Sequence, residues 1–168
     1  MQRLCLETCY EFDTESTEDG ETTLSVSKEN ALNILTSAVE YADHESTFEI
    51  LDSGPKTRGT ERNVYHYENG EGDVYRTILR AIADNPPERE FSYDVLKKRT
   101  EEQCIGGKFP SGSSIIGSCE QMDDLIKNRF PDERALEWDD DKETLYIPDP
   151  YLLFYLRWSD KLNVLNTE

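Results

Sequence analysis

The chain reads as an α+β protein, and three observations in its second half predict that class. Apolar residues recur at helical spacing in three segments, at 73–85, 92–105 and 111–130. Two short alternating runs, Leu136-Glu137-Trp138 and Leu145-Tyr146-Ile147, flank the charged turn Asp139-Asp140-Asp141-Lys142 and read as a β-hairpin. Asp149-Pro150 then opens a nearly all-apolar run from Tyr151 to Trp158, broken only by Arg157.

In the first half, residues 3–12 alternate. Leu4, Leu6, Thr8 and Tyr10 take one face and Cys5, Glu7, Cys9 and Glu11 the other, which predicts a strand. Asp13 to Glu21 is acidic and reads as an exposed loop, and Thr22–Val26 as a short returning strand. Ser27 is placed as the N-cap of a helix bearing Ala31, Leu32, Leu35, Ala38, Val39 and Ala42 on one side, ending near Asp43-His44-Glu45. Phe48-Glu49-Ile50-Leu51 and Asn63-Val64-Tyr65-His66-Tyr67 read as strands, separated by a loop with Gly54, Pro55 and Gly59. Asn69-Gly70-Glu71-Gly72 breaks the second of them. The expected division is a small α+β unit over 1–70 and a second domain over 71–168.

The second domain is punctuated more sharply. Asp73 is positioned to cap a helix whose Tyr75, Ile78, Leu79 and Ile82 fall at i, i+3, i+4 and i+7. Asn85-Pro86-Pro87 stops it, because proline lacks the N–H and disfavours helix at the preceding residue. Ser92 caps the next helix, with Phe91 and Leu96 as a hydrophobic staple, and Gly106-Gly107 closes it. A third helix starts within Ser111–Ser114, turns Ile115, Cys119, Met122 and Ile126 to one face, and ends at Phe130-Pro131. Pro150 stands in the first turn of the last helix, its favoured place. The order helix, helix, helix, hairpin, helix predicts a winged helix, a helix-turn-helix extended by a β-hairpin and closed here by a C-terminal apolar helix.

Of 168 residues, 32% are charged and 36% hydrophobic, and 36 acids against 18 bases leave a net charge of −18. Nine Tyr, six Phe and two Trp still supply a core. So acidic a surface repels nucleic acid at low salt and disfavours anionic membranes. Two readings fit. One is adaptation to molar salt, where the Debye length falls to about 3 Å. The other is a functional acidic surface that binds a basic partner or mimics DNA. Spread of the acid along the whole chain favours the first. Residues 1–72 hold 16 acids and 5 bases and residues 73–168 hold 20 acids and 13 bases, so the second half is the less acidic one. Met1-Gln2-Arg3 leads into alternating residues rather than the apolar run of a signal peptide, and no stretch reaches the ~18 apolar residues of a membrane span. The expected location is the cytoplasm.

Catalytic spellings are weak. Gly106-Gly107-Lys108-Phe109 ends like a phosphate loop, but Phe109 replaces the Mg²⁺-binding hydroxyl and Glu102 the first glycine. Pro131-Asp132 followed by Asp140-Asp141-Lys142 spells a nuclease-like PD…DxK, yet its DxK falls in the hairpin turn rather than at a strand end where carboxylates would hold Mg²⁺. Cys5, Cys9, Cys104 and Cys119 lack CxxC spacing and read as reduced packing thiols. With only His44 and His66 as imidazoles, no zinc site is expected. We expect no enzyme, cofactor or metal.

The densest basic and polar stretch is Lys97, Lys98, Arg99 and Lys108, with Ser111, Ser113 and Ser114 opening the third helix. In helix-turn-helix proteins that part of the second helix enters the major groove, where backbone N–H groups also meet phosphate. Lys127 near the end of this helix and Lys142 in the hairpin turn complete the candidate DNA-binding set. Against it stand Glu120, Asp123, Asp124 and the Asp139–Asp141 turn, and Lys97–Arg99 is equally compatible with an ordinary solvated helix face.

The segments Val74–Ala83, Phe91–Thr100 and Tyr146–Trp158, above all the Asp149-Pro150…Phe154-Tyr155-Leu156-Arg157-Trp158 ending, resemble the winged-helix domain that follows the ATPase core in archaeal AAA-type and related signalling ATPases. With the acid excess, the resemblance implies a salt-loving archaeal source, and a role in recognising DNA or a partner. ATP binding does not carry over, because no Walker motif precedes the winged helix and residues 1–72 are too few for the ATPase core. The leading expectation is a non-enzymatic DNA-binding or regulatory module on double-stranded DNA. The alternative is an acidic adaptor or DNA mimic whose protein partner is an ATPase or a basic protein. A homodimer is compatible with either, and no membrane partner is expected.

Overall fold

The computed structural model describes residues 2–11, 25–57, 59 and 61–164. Among them the protein is mixed α+β, with seven helices and two small sheets. Its centre is the helix Val74–Ala83, called α4 below. Asp73 starts that helix by accepting the backbone N–H of Tyr75 at 2.9 Å and of Arg76 at 3.3 Å. Nine of its ten residues, all but Arg76, are buried. Its polar members are accommodated rather than excluded, Thr77 by the Tyr67 hydroxyl and Arg80 by Gln103 and the Leu162 carbonyl, and four other helices pack on it.

Before it come α1 (Gln2–Glu11), α2 (Lys28–Val39), α3 (Glu45–Ser53) and the strands β1 (Tyr65–Tyr67) and β2 (Gly70–Gly72). After it come β3 (Glu90–Ser92), α5 (Tyr93–Gln103), α6 (Gly112–Arg129), β4 (Glu137–Asp139), β5 (Thr144–Tyr146) and α7 (Pro150–Trp158). Ser111 caps α6 by accepting from Ser114 N–H, and Asp149 caps α7 by accepting from Tyr151 N–H at 2.8 Å. The expected hairpin is present, with Glu137 opposite Tyr146, Trp138 opposite Leu145 and Asp139 opposite Thr144.

Four expectations need correction. Residues 2–11 are helical, not a strand. The alternation of Leu4 to Tyr10 also satisfies helical spacing: Leu4, Glu7 and Thr8 are half-buried, and Thr8 Oγ1 donates to Leu4 O at 2.8 Å. Phe48–Leu51 lies inside α3, where Thr47, Phe48 and Leu51 turn inward together. Helix 27–44 ends earlier, at Val39. Asn69-Gly70-Glu71-Gly72 does not merely break a strand but folds back as β2, pairing Tyr67 with Gly70. Ser25 and Val26 are not strand, and the rest of 22–26 and the acidic loop lie outside the described residues.

A further strand had no place in the sequence reading. Phe91, read as a staple, is the buried middle of β3 and lies opposite Leu145, giving a sheet of order β3-β5-β4. The Ser92 hydroxyl makes no cap bond; the first N–H of α5, that of Tyr93, goes to Glu143 O at 2.8 Å.

Packing crosses residue 70. The β1–β2 hairpin straddles it, α3 packs on α4 and α6, and α7 packs on both α2 and α4. One continuous core runs from Val39 through Ile78, Phe91, Ile115 and Trp138 to Leu162. No described helix is long and apolar enough to cross a membrane.

Candidate interaction surface

The six candidate cations do not form one positive face. Lys97 and Lys98 lie on α5, Lys97 half-buried and Lys98 exposed, with Lys98 Nζ 3.7 Å from Glu102. Arg99 is turned inward and is only 6% exposed. It donates to the carbonyl oxygens of Ala81, Asp84 and Pro86, pairs with Glu88 at 3.0 Å and lies over the Phe91 ring. Arg99 is therefore a structural group, and the reason is its spacing: it follows the buried Leu96 by three residues and so shares its face. Lys127 Nζ sits 2.7 Å from Asp123, and that hydrogen bond raises the ammonium pKa. Lys142 Nζ sits 2.9 Å from Asp139; the same bond raises the lysine and lowers the carboxyl. Lys108 is exposed above the Tyr65 ring.

Ser111, Ser113 and Ser114 gather at the first turn of α6, as their spacing predicts. Ser111 and Ser113 are exposed, with their hydroxyls 3.3 Å apart, and Ser114 is half-buried. Beside them lies an unforeseen wall. Arg62 donates to Ser53 O at 2.6 Å and to Pro55 O, pairs with Asp73 at 2.6 Å, and covers the Tyr75 ring at 4.6 Å. These bonds hold the segment after α3 to the start of α4, across from α6. Between the two is a cleft of about 520 Å³ lined by Lys56, Tyr75, Ser113, Ser114 and Ser118 among others.

The outward side of α6 beyond that cleft is acidic. Glu120 and Asp124 are exposed, while Ile115, Cys119, Met122 and Ile126 face the core as expected. Asp123 is buried, and its Oδ1 meets no donor from the protein. The hairpin turn continues the negative surface with exposed Asp140, Asp141 and Glu143. Arg129, in the last turn of α6, is an exposed cation at the edge of this surface, and Arg134 gives its guanidinium to Glu137 at 2.8 Å.

Chemistry-bearing groups are dispersed. Among the described residues no three or more His, Cys, Asp or Glu side chains gather as a metal site. Asp132, Asp140 and Lys142 are all exposed. The four cysteines are free thiols. Burial, aided by the Glu120 charge, pushes the Cys119 thiol up to about 12, and burial raises Cys104 as well, so neither is an activated nucleophile.

One surface escaped sequence reasoning. Leu4, Ala38, Ala42, Tyr41, Tyr151 and Phe154 line an apolar groove of about 400 Å³ where α1, α2 and α7 meet. Tyr41 and Tyr151 are each 61% exposed. The apolar character of 151–158 was a signal, but it points to burial alone unless the partner helices are known. No protein-family model, curated protein or solved structure matches this chain.

Proposed function

We propose that this protein is a non-enzymatic recognition module of winged-helix type that binds a basic protein partner through the acidic outer side of α6 and the β4–β5 turn. The observation that carries this reading is the disposition of charge. Four of the six candidate DNA-binding cations, Lys98, Arg99, Lys127 and Lys142, are paired with carboxylates of the same chain. Glu120, Asp124, Asp140 and Asp141 point outward on the elements that a winged helix would present to DNA. A duplex meeting that surface encounters like charge, whereas a lysine- or arginine-rich protein is steered to it. The remaining acid serves solubility in a high-salt cytoplasm.

Affinity capture from a native lysate at about 0.15 M KCl, where exposed charges still act over ~8 Å, tests the reading. A basic protein should be retained by the natural chain and lost when Asp139, Asp140 and Asp141 are changed together to Asn. Retention unchanged by that triple substitution removes the proposal.

Duplex DNA binding is the second reading, favoured by exposed Lys108, Ser111 and Ser113 around the start of α6. It predicts gel shifts whose salt slope falls by about one for each phosphate contact removed, as with Lys108→Ala. No shift at any KCl concentration eliminates it.

A further inference from the structure

The apolar groove between α1, α2 and α7 carries an inference of its own. Tyr41 and Tyr151 hold most of their surface in water, although both stand beside a continuous core that buries Ala38, Leu152 and Leu153. From these two residues a second cleft, about 760 Å³, extends past His44 to Glu133 and Asp149. The pair of volumes lies in the range of about 300–1,000 Å³ typical of ligand sites, but the shape is an open trough, suited to a chain segment rather than an enclosed small molecule.

Charge at the rim selects the occupant. Asp43 and Glu133 are exposed there, and Asp149 adds a third carboxylate 3.3 Å from His44 Nε2. Among the described side chains Arg134 is the rim's guanidinium, and Glu137 already holds it. A trough with an apolar floor and an acidic edge complements a segment with apolar anchors on one side and lysine or arginine on the other. A second copy of this chain is the poorer match, because each copy carries a net charge of −18 and repels the other.

We propose that this trough docks a basic amphipathic helix of a partner protein, with its apolar side on Tyr41, Tyr151 and Phe154. The proposal rests on reading the chain as a protein-binding module and assigns the apolar half of that recognition to a surface distinct from the acidic one on α6. Aromatic anchors in such troughs carry a large share of binding energy, and rim charges mainly guide approach.

The test uses the full chain and two synthetic peptides of equal charge in about 0.5 M KCl, where charge alone is strongly screened. One places leucine and lysine at helical spacing; the other replaces every leucine with serine. The leucine peptide should bind at least about tenfold more tightly, and Tyr151→Asp should weaken it about tenfold or more. Tyr151 is in the first turn of α7, where an added carboxylate suits the helix, so that variant keeps its fold. Tyr41→Asp should act in the same direction, with circular dichroism confirming the fold. Equal binding of the two peptides, or an affinity untouched by Tyr151→Asp, overturns the proposal. So does dimerisation in sedimentation that Tyr151→Asp abolishes, because a second copy then fills the trough. Changing Asp139, Asp140 and Asp141 to Asn leaves leucine-peptide binding intact, so failure of the α6 surface and failure of the trough give different results.

Discussion

Arg157 of α7 donates Nη1 to the carbonyl oxygen of Ala83 at 2.7 Å and so closes the C-terminal end of the central helix α4. The same nitrogen reaches Asp84 O at 2.9 Å, and Nη2 reaches Asn85 Oδ1. Arg99 arrives at this end from α5, sharing Asp84 O and adding Ala81 O and Pro86 O. The last carbonyls of a helix lack intrahelical donors and carry its negative dipole end, so two guanidiniums satisfy both needs. This junction ties the last helix, the basic stretch of α5 and the core helix together.

Removing either arginine should therefore destabilise the protein without touching its acidic surface. Charge-assisted hydrogen bonds contribute about 1.5–3 kcal/mol, so Arg157→Met should lower stability by about 2 kcal/mol in urea denaturation. Arg99→Met should cost at least as much, because Glu88 also loses its partner. The double variant should deviate from additivity, since both arginines bind Asp84 O. A strictly additive, sub-kilocalorie pair of effects would show that water caps α4 equally well.

The legible parts of the fold were those set by local chemistry. Asp73, Ser111 and Asp149-Pro150 announce their helices because a cap acts within one turn. Tyr75, Ile78, Leu79 and Ile82 announce the face of α4 for the same reason. What escaped was ambiguous in period or distant in sequence. Leu4 to Tyr10 satisfies both a strand and a helix, and the four residues Phe48–Leu51 are too few to separate them. Strand β3 has one inward residue, Phe91, and its partner Leu145 lies far along the chain. Arg99 looked like the third member of a basic run. Its helical phase with Leu96, rather than its neighbours Lys97 and Lys98, decides where it points. The trough at Tyr41 and Tyr151 needed three helices to meet.

Salt should stabilise this protein. Exposed carboxylates outnumber the cations that pair with them, and a net charge of −18 repels itself across the surface. Raising KCl from about 0.1 to 2 M shortens the Debye length from ~10 Å to under ~3 Å, so the thermal midpoint should climb across that range. A midpoint that stays level or falls would assign the acid to partner recognition alone.

Stability should decline on the alkaline side through two identifiable groups. Burial pushes the Tyr67 hydroxyl up to about 12, opposed by its 2.7 Å hydrogen bond with Thr77, and burial pushes the Cys119 thiol to about 12 as well. Both pKa values are raised on folding, so the native state holds these protons after the unfolded chain begins to release them. Their contribution is complete below about pH 8.5 and is lost as pH rises toward 12, with a slope of up to ~1.4 kcal/mol per pH unit for each group. Urea denaturation between about pH 8 and 11 should show the decline, and Tyr67→Phe or Cys119→Ala should each flatten it. In the native state exposed Cys5 should react with a thiol reagent well before Cys119.

Gly54 is the glycine whose replacement should be felt most. It ends α3 at φ 60° and ψ −173°, a backbone region essentially reserved for glycine. A Cβ added there would lie 2.7 Å from the ring of Tyr75, which is buried and covered by Arg62. The ring is buried beneath the Arg62 guanidinium, so displacing it would loosen the segment that Arg62 holds to the start of α4. Strain of about 1–3 kcal/mol from the backbone and a similar amount from overpacking should add in Gly54→Ala. Gly106, at φ 77° with nothing within 4 Å of an added Cβ, isolates the first effect. Gly106→Ala should therefore cost clearly less in urea denaturation, and only Gly54→Ala should speed proteolysis after Pro55. Equal losses for the two variants would mean that the Tyr75 ring moves aside freely, and the wall beside α6 is then not rigid.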